Sequence, residues 1–151
     1  MNASVETTNA KEDFDFDFTL KDLKGNAVSV TQFKGKVVFL NLWATWCGPC
    51  RAEMPTIQEL YNEVDCDKIA FVMLSLDKAE DQAKVVSYVK KKGFTFPVFT
   101  VASELPEVLN VPSIPTTFVI SKSGKIISQN VGTSNFNTKK FKKFLLDESL
   151  K

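Results

Sequence analysis

Polar and apolar positions along the chain change period several times, and each change marks an element. The strict alternation of Asp13-Phe14-Asp15-Phe16-Asp17-Phe18 is the two-residue period of a half-buried strand with its phenylalanines on one face. Lys24-Gly25-Asn26 supplies a turn, and Ala27 to Val30 returns as a second strand, completing a hairpin. Phe33 to Lys36 connects to the run from Val37 to Leu42, whose near-continuous apolar character is that of a buried strand. After Cys47, the residues Met54, Ile57, Leu60, Tyr61 and Val64 recur at spacings of three and four. They predict a helix with one apolar face, bent by Pro55 inside it.

Ile69 to Leu76 reads as a second buried strand, with Asp77 just past its end. From Glu80 to Lys92 a helical pattern sets Val85, Val86 and Val89 against Lys84, Lys90, Lys91 and Lys92, and Gly93 is its C-cap. Phe96 to Val101 is a short strand or extended segment, and Glu104 to Leu109 one or two helical turns. Thr116 to Ile120 and Lys125 to Val131 are strands joined by a turn at Ser123-Gly124, and Phe136, Phe141, Phe144 and Leu145 line a final helix. Strands that alternate with helices and close on a hairpin imply an α/β fold, a mixed sheet with helices on both faces. No internal repeat or interdomain linker interrupts it. The expected organisation is a polar, flexible tether over residues 1–13 and a single domain over 14–151.

Composition narrows the chemistry. With 151 residues and 44% hydrophobic content the chain fits one domain with a sizeable core. A formal net charge of +1 offers no global attraction for nucleic acid or an anionic membrane. No apolar run approaches the roughly 20 residues that span a bilayer, and the N-terminus has no signal-like apolar stretch. Either the protein is unanchored, or a signal peptide, lipid anchor or larger N-terminal portion precedes these residues. The chain has no histidine, which removes Ser-His-Asp and Cys-His catalysis, His-containing zinc sites and c-type haem attachment. Its three cysteines are too few for an all-cysteine four-ligand zinc site, so no metal is expected.

What remains is Trp46-Cys47-Gly48-Pro49-Cys50, where the buried strand hands over to the helix. Unpaired N–H groups and the positive dipole end of a helix stabilise a thiolate there, so Cys47 is the expected low-pKa, attacking and accessible sulfur. Cys50, one turn in, can close a small ring with it and suits a resolving thiol. An inert staple is the competing reading, but a ring of four residues constrains the chain little. Active groups of open α/β sheets lie at the carboxyl ends of strands, as Cys47 does. Cys66, flanked by Asp65 and Asp67, reads as an inert free thiol. The Lys139-Lys140 and Lys142-Lys143 pairs read as a solvated helix face, with docking to an anionic partner as the alternative.

The chain resembles the thioredoxin superfamily, and within it the TlpA/ResA-like group of extracytoplasmic thiol-disulfide oxidoreductases, over about residues 14 to 148. The resemblance is carried by Trp43-Ala44-Thr45-Trp46-Cys47-Gly48-Pro49-Cys50-Arg51-Ala52-Glu53-Met54-Pro55 and by Ile114-Pro115-Thr116-Thr117. It implies a thioredoxin-like mixed sheet flanked by helices, with an N-terminal β-hairpin and a central helix-strand insertion across about Lys78 to Val101. It implies that Pro115 is a cis-proline facing the cysteines, and that Trp46, Ile114, Gly132 and Thr133 form a substrate groove around them. It also implies that Glu53 carries protons for Cys50. The buried aspartate that thioredoxins carry six residues before the first cysteine is Asn41 here, and its lysine partner is matched by Met73, so that acid cannot be the proton acceptor.

The function so implied is reduction of protein disulfides in an extracytoplasmic compartment, periplasmic or membrane-anchored, through a mixed disulfide. The cofactor expectation is none beyond the Cys47–Cys50 disulfide. Expected partners are a protein disulfide substrate and an upstream thiol donor, with no nucleic acid, membrane contact only through an anchor, and a monomeric state. Two other functions are compatible with the scaffold. One is a binding module without turnover. The other is a thiol peroxidase, although the Pro-x-x-x-Thr/Ser-x-x-Cys pattern of peroxiredoxins meets Leu40 and Ala44 here.

Overall fold

The computed structural model describes residues 2–4 and 12–151. In chain order the described residues form strands β1 (Thr19–Asp22), β2 (Ala27–Ser29) and β3 (Val37–Trp43), helix α1 (Gly48–Glu63), strand β4 (Ile69–Ser75), helix α2 (Gln82–Lys92), strands β5 (Val98–Val101), β6 (Thr116–Ile120) and β7 (Ile126–Val131), and helix α3 (Lys139–Ser149). The strands make one sheet in the order β2-β1-β5-β4-β3-β6-β7. β4 runs parallel to β3 and β5, and the other pairs are antiparallel. The two helix crossovers, α1 and α2, are what parallel neighbours require.

β3 and β4 lie at the centre, and every residue of both is buried. Alternation along β3 sends Val37, Phe39 and Trp43 to one core and Val38, Leu40 and Leu42 to the other. All three α-helices contribute to the first core, through Met54, Ile57 and Leu60 of α1, Val85 and Val89 of α2, and Phe141 and Leu145 of α3. The second core is closed instead by Phe14, Phe16, Phe18, Val30 and Leu109, which lie in an extended segment and 3-10 turns. Helices thus lie on both faces but unequally: the three α-helices share the first, and the second is roofed by 3-10 turns, an extended segment and its phenylalanines.

The alternating aspartate-phenylalanine stretch correctly marks the buried phenylalanines, but it is not a strand. Its backbone bonds go elsewhere: Asp17 N–H donates to Asp15 Oδ1, Phe14 N–H to Gly124 O, and Phe18 O accepts from Val30 N–H. Side-chain and loop partners thus replace a ladder, and β1 begins only at Thr19. Val86, expected in the core, is 37% exposed, because Val85 and Val89, one turn apart, already fill the face that α2 presents to the sheet. Gly93 closes α2 in the left-handed region, φ 72°, as its C-cap position demands. Phe136 precedes α3, yet its ring meets Phe39 and Phe141 edge-on at 5.2 Å.

The expected tether at residues 1–13 falls mostly outside the described residues. Of those described there, Asn2 bridges to Asn135, and Ser4 exchanges bonds with the Asn130 side chain on the edge strand β7. Among the described residues no helix is long and apolar enough to cross a membrane.

Candidate active site

β3 delivers the chain to the carboxyl edge of the sheet, where Ala44-Thr45-Trp46 turns it into α1. Cys47 is the N-cap of that helix, with extended backbone angles, and its sulfur accepts the N–H of Cys50 at 3.2 Å. Pro49 occupies the first turn, where a missing N–H costs nothing. Cys47 and Cys50 are joined as a disulfide across 5.3 Å between their Cα atoms. Cys50 is fully enclosed and Cys47 keeps 5% of its surface, while Trp46 beside them is 69% exposed. The expected accessible sulfur is therefore accessible only narrowly.

The turn is held from beneath by a residue that sequence reasoning placed but gave no role. Asp77, nearly buried past the end of β4, accepts Thr45 Oγ1–H at 2.6 Å, Thr45 N–H at 3.0 Å and Ser75 Oγ–H at 2.6 Å. Two of those bonds seize the residue directly before Trp46. A carboxylate at the end of a buried strand that neighbours the cysteine strand was the signal that could have shown it.

Opposite the disulfide, the Ile114–Pro115 bond is cis, and the carbonyl oxygen of Ile114 lies 3.8 Å from Cys47 Sγ. Gly132 N–H donates to Pro115 O at 2.9 Å, with Gly132 at φ 87°. Thr133 Oγ1 donates to Pro49 O at 2.9 Å. Trp46, Ile114, Pro115, Gly132 and Thr133, scattered in sequence, thus converge around the two sulfurs.

Glu53 is one turn beyond Cys50 and only 1% exposed. Its carboxylate accepts Asn41 Nδ2–H at 2.9 Å on one oxygen and Ser134 N–H at 3.0 Å on the other. Asn41 also donates to Thr117 Oγ1 at 2.8 Å. Burial pushes the Glu53 carboxyl up from 4.5 to about 7, against the opposing pull of the Ser134 and Asn41 hydrogen bonds. Asn41, where thioredoxins carry an acid, here steadies an acid supplied by the helix. That partnership, and the part of Ser134, were invisible in the sequence because the three residues lie on β3, on α1 and after β7. Cys66 is exposed and remote, donating to Tyr61 O and Val64 O, and its thiol is pushed up by partial burial and by the charges of Asp65 and Asp67.

Comparison with known proteins agrees with this geometry. The Redoxin family model matches residues 10–145. The thioredoxin-like protein YneN of Bacillus subtilis is 41% identical over 118 residues, covering 78% of this chain and 69% of that protein. The thiol-disulfide oxidoreductase ResA of Geobacillus thermodenitrificans is 40% identical over 120 residues, covering 78% and 67%. Among solved structures, a thiol:disulfide interchange protein of Chlorobium tepidum superposes with a TM-score of 0.71 at 26% identity, over 91% of this chain and 97% of that one. StoA of Bacillus subtilis superposes with a TM-score of 0.68 at 28% identity, over 84% and 94%. A thioredoxin-like sheet, a cysteine pair at a helix N-terminus and these relatives together show that the chain belongs to the Redoxin family, as a ResA-like thiol-disulfide oxidoreductase.

Proposed function

We propose that the protein is a reductant of protein disulfides in an extracytoplasmic compartment, and that Cys47, Cys50 and Glu53 carry the reaction. The observation that supports this most is the stacking of functions along one helix start: a capped sulfur at Cys47, an enclosed sulfur at Cys50, and a buried carboxyl with a pKa of about 7 at Glu53. In the reduced protein the Cys47 thiolate attacks one sulfur of the substrate disulfide. A Cys47–substrate disulfide forms, and the other substrate sulfur leaves as a thiolate that takes up a proton. Cys50 then loses its proton to the Glu53 carboxylate and attacks Cys47 Sγ. The second substrate thiolate is released and protonated, and the Cys47–Cys50 disulfide remains. Two electrons have moved from enzyme to substrate; the Cys50 proton passes by way of Glu53 to one substrate thiolate, the other substrate thiolate takes its proton from water, and an upstream thiol donor restores the dithiol.

The exchange so written uses no cofactor beyond the Cys47–Cys50 pair. The groove of Trp46, Ile114, Pro115, Gly132 and Thr133 is the surface on which an extended substrate segment would lie. The compartment is supported by the resemblance to the extracytoplasmic TlpA/ResA-like group. Direction is supported by Gly-Pro between the cysteines, which resembles reducing members of a superfamily whose potentials run from about −270 to about −120 mV.

Insulin reduction tests the reading. The wild type should turn over, Cys47→Ser should not, and Cys50→Ser should arrest as a mixed disulfide with insulin. Wild-type turnover no higher than that of either variant would remove the enzyme mechanism and favour a binding module.

A further inference from the structure

Arg51 stands in the first turn of α1, where the helix dipole disfavours a cation. It lines a cleft of about 290 Å³ together with Pro55 on the same face of α1, Tyr88, Lys91 and Lys92 of α2, and Phe94 beyond the Gly93 cap. The floor is aromatic: the rings of Tyr88 and Phe94 lie 6.1 Å apart, and Lys92 Nζ sits 6.0 Å from the Tyr88 centroid. The rim is three cations. Among the described residues none of the three has an ion-pair partner, and no carboxylate lines the cleft. The last-turn lysines of α2 also complement its dipole, but Arg51 has no such return and is held beside a sulfur site. Its backbone N–H donates to Cys47 O.

We propose that this cleft receives an acidic segment of the disulfide-bearing substrate, adjacent to the disulfide that Cys47 attacks. The inference rests on the reductant reading and adds to it the charge of the substrate. The occupant is acidic because an unpaired triad of cations gains most from carboxylates, with Arg51 able to take one in two parallel hydrogen bonds. It is a polypeptide because the aromatic floor suits side-chain stems. A docking charge one helix turn from the reacting sulfur raises the encounter rate and fixes the approach of the substrate disulfide.

Three disulfide-bridged peptides, identical except for flanking residues that are acidic, neutral or basic, test it with the reduced full-length protein. Peptide thiols are measured as they appear. At an ionic strength of about 20 mM the acidic peptide should react about fivefold faster than the neutral one and the basic peptide more slowly. That order should collapse toward equality near 0.5 M salt, where the screening length shrinks to a few Å. The double variant Lys91→Glu/Lys92→Glu should reverse the order, and Lys84→Gln, outside the cleft, should keep the wild-type ratio. The salt series on the wild type alone decides the matter if the double variant does not fold. Rates within about twofold for all three peptides, or an acidic preference that persists in high salt or in the folded double variant, overturn the acidic-substrate inference while leaving the reductant reading intact. No thiols from any peptide would overturn the reductant reading itself.

Discussion

Glu53→Gln removes the titration that burial imposes on this carboxyl, and its effect on stability should depend on pH in a defined way. In the folded protein Glu53 holds its proton up to about pH 7, whereas its ordinary value is 4.5. Between those limits the folded state binds a proton that the unfolded state has lost, so wild-type stability falls as pH rises through this window. Below pH 4.5 both states are protonated and nothing is lost; above pH 7 the full penalty is present. At about 1.4 kcal/mol per pH unit, the gap amounts to about 3 kcal/mol. Glutamine does not titrate and escapes it.

The substitution has a second, pH-independent consequence. Asn41 Nδ2–H and Ser134 N–H both donate to the carboxylate, so one of them meets the new amide donor, at a cost of about 1 kcal/mol. The difference between variant and wild type should therefore shift by about 3 kcal/mol in favour of the variant from pH 4.5 to 8, whatever its offset. Urea unfolding of both proteins in the disulfide form, in which Cys47 and Cys50 do not titrate, isolates the effect. A difference that stays constant within about 0.5 kcal/mol across that range would show that Glu53 is an ordinary ionised glutamate, and its proposed proton role would go with it.

Other perturbations report on other parts of the account. Thr45→Val deletes the hydroxyl bond to Asp77 and leaves a buried carboxylate oxygen short of a donor; a loss of about 2 kcal/mol in urea unfolding is expected, with slower insulin reduction because the turn before Cys47 loosens. Phe16→Ala should cost about 3 to 5 kcal/mol, since its ring roofs the second core; a cost below about 1 kcal/mol, typical of surface changes, would mean that the segment is peripheral. Gly93→Ala places a side chain at φ 72°, with open space around the added carbon, so the loss should be the backbone penalty alone, about 1 to 2 kcal/mol in the thermal midpoint analysis.

The parts legible in the sequence were those whose cause is local. A buried strand announces itself in Val37 to Leu42 because two covered faces select apolar side chains at every position but Asn41, and α2 announces its end at Gly93 because only glycine takes that backbone readily. The cysteine pair was legible because a strand, a glycine-proline and a helix follow one another directly. Long-range choices were not. Phe14, Phe16 and Phe18 alternate as a strand would, but whether their backbone finds a ladder depends on Gly124 and Val30, which periodicity does not see. The unequal distribution of helices over the two faces was not legible for the same reason, since a phenylalanine in a loop covers a sheet as well as a helix does. The Asn41–Glu53–Ser134 network joins three separate elements, so a departure at residue 41 could be noticed without its partner being found.

Reactivity of the reduced protein tests the central claim most directly. Iodoacetamide should modify Cys47 far faster than Cys50, with a rate that titrates at a midpoint below the free-cysteine value of about 8.5, as peptide mapping after brief exposure would resolve. A midpoint at or above that value, or first modification at Cys50, would contradict the assignment of Cys47 as the attacking thiolate.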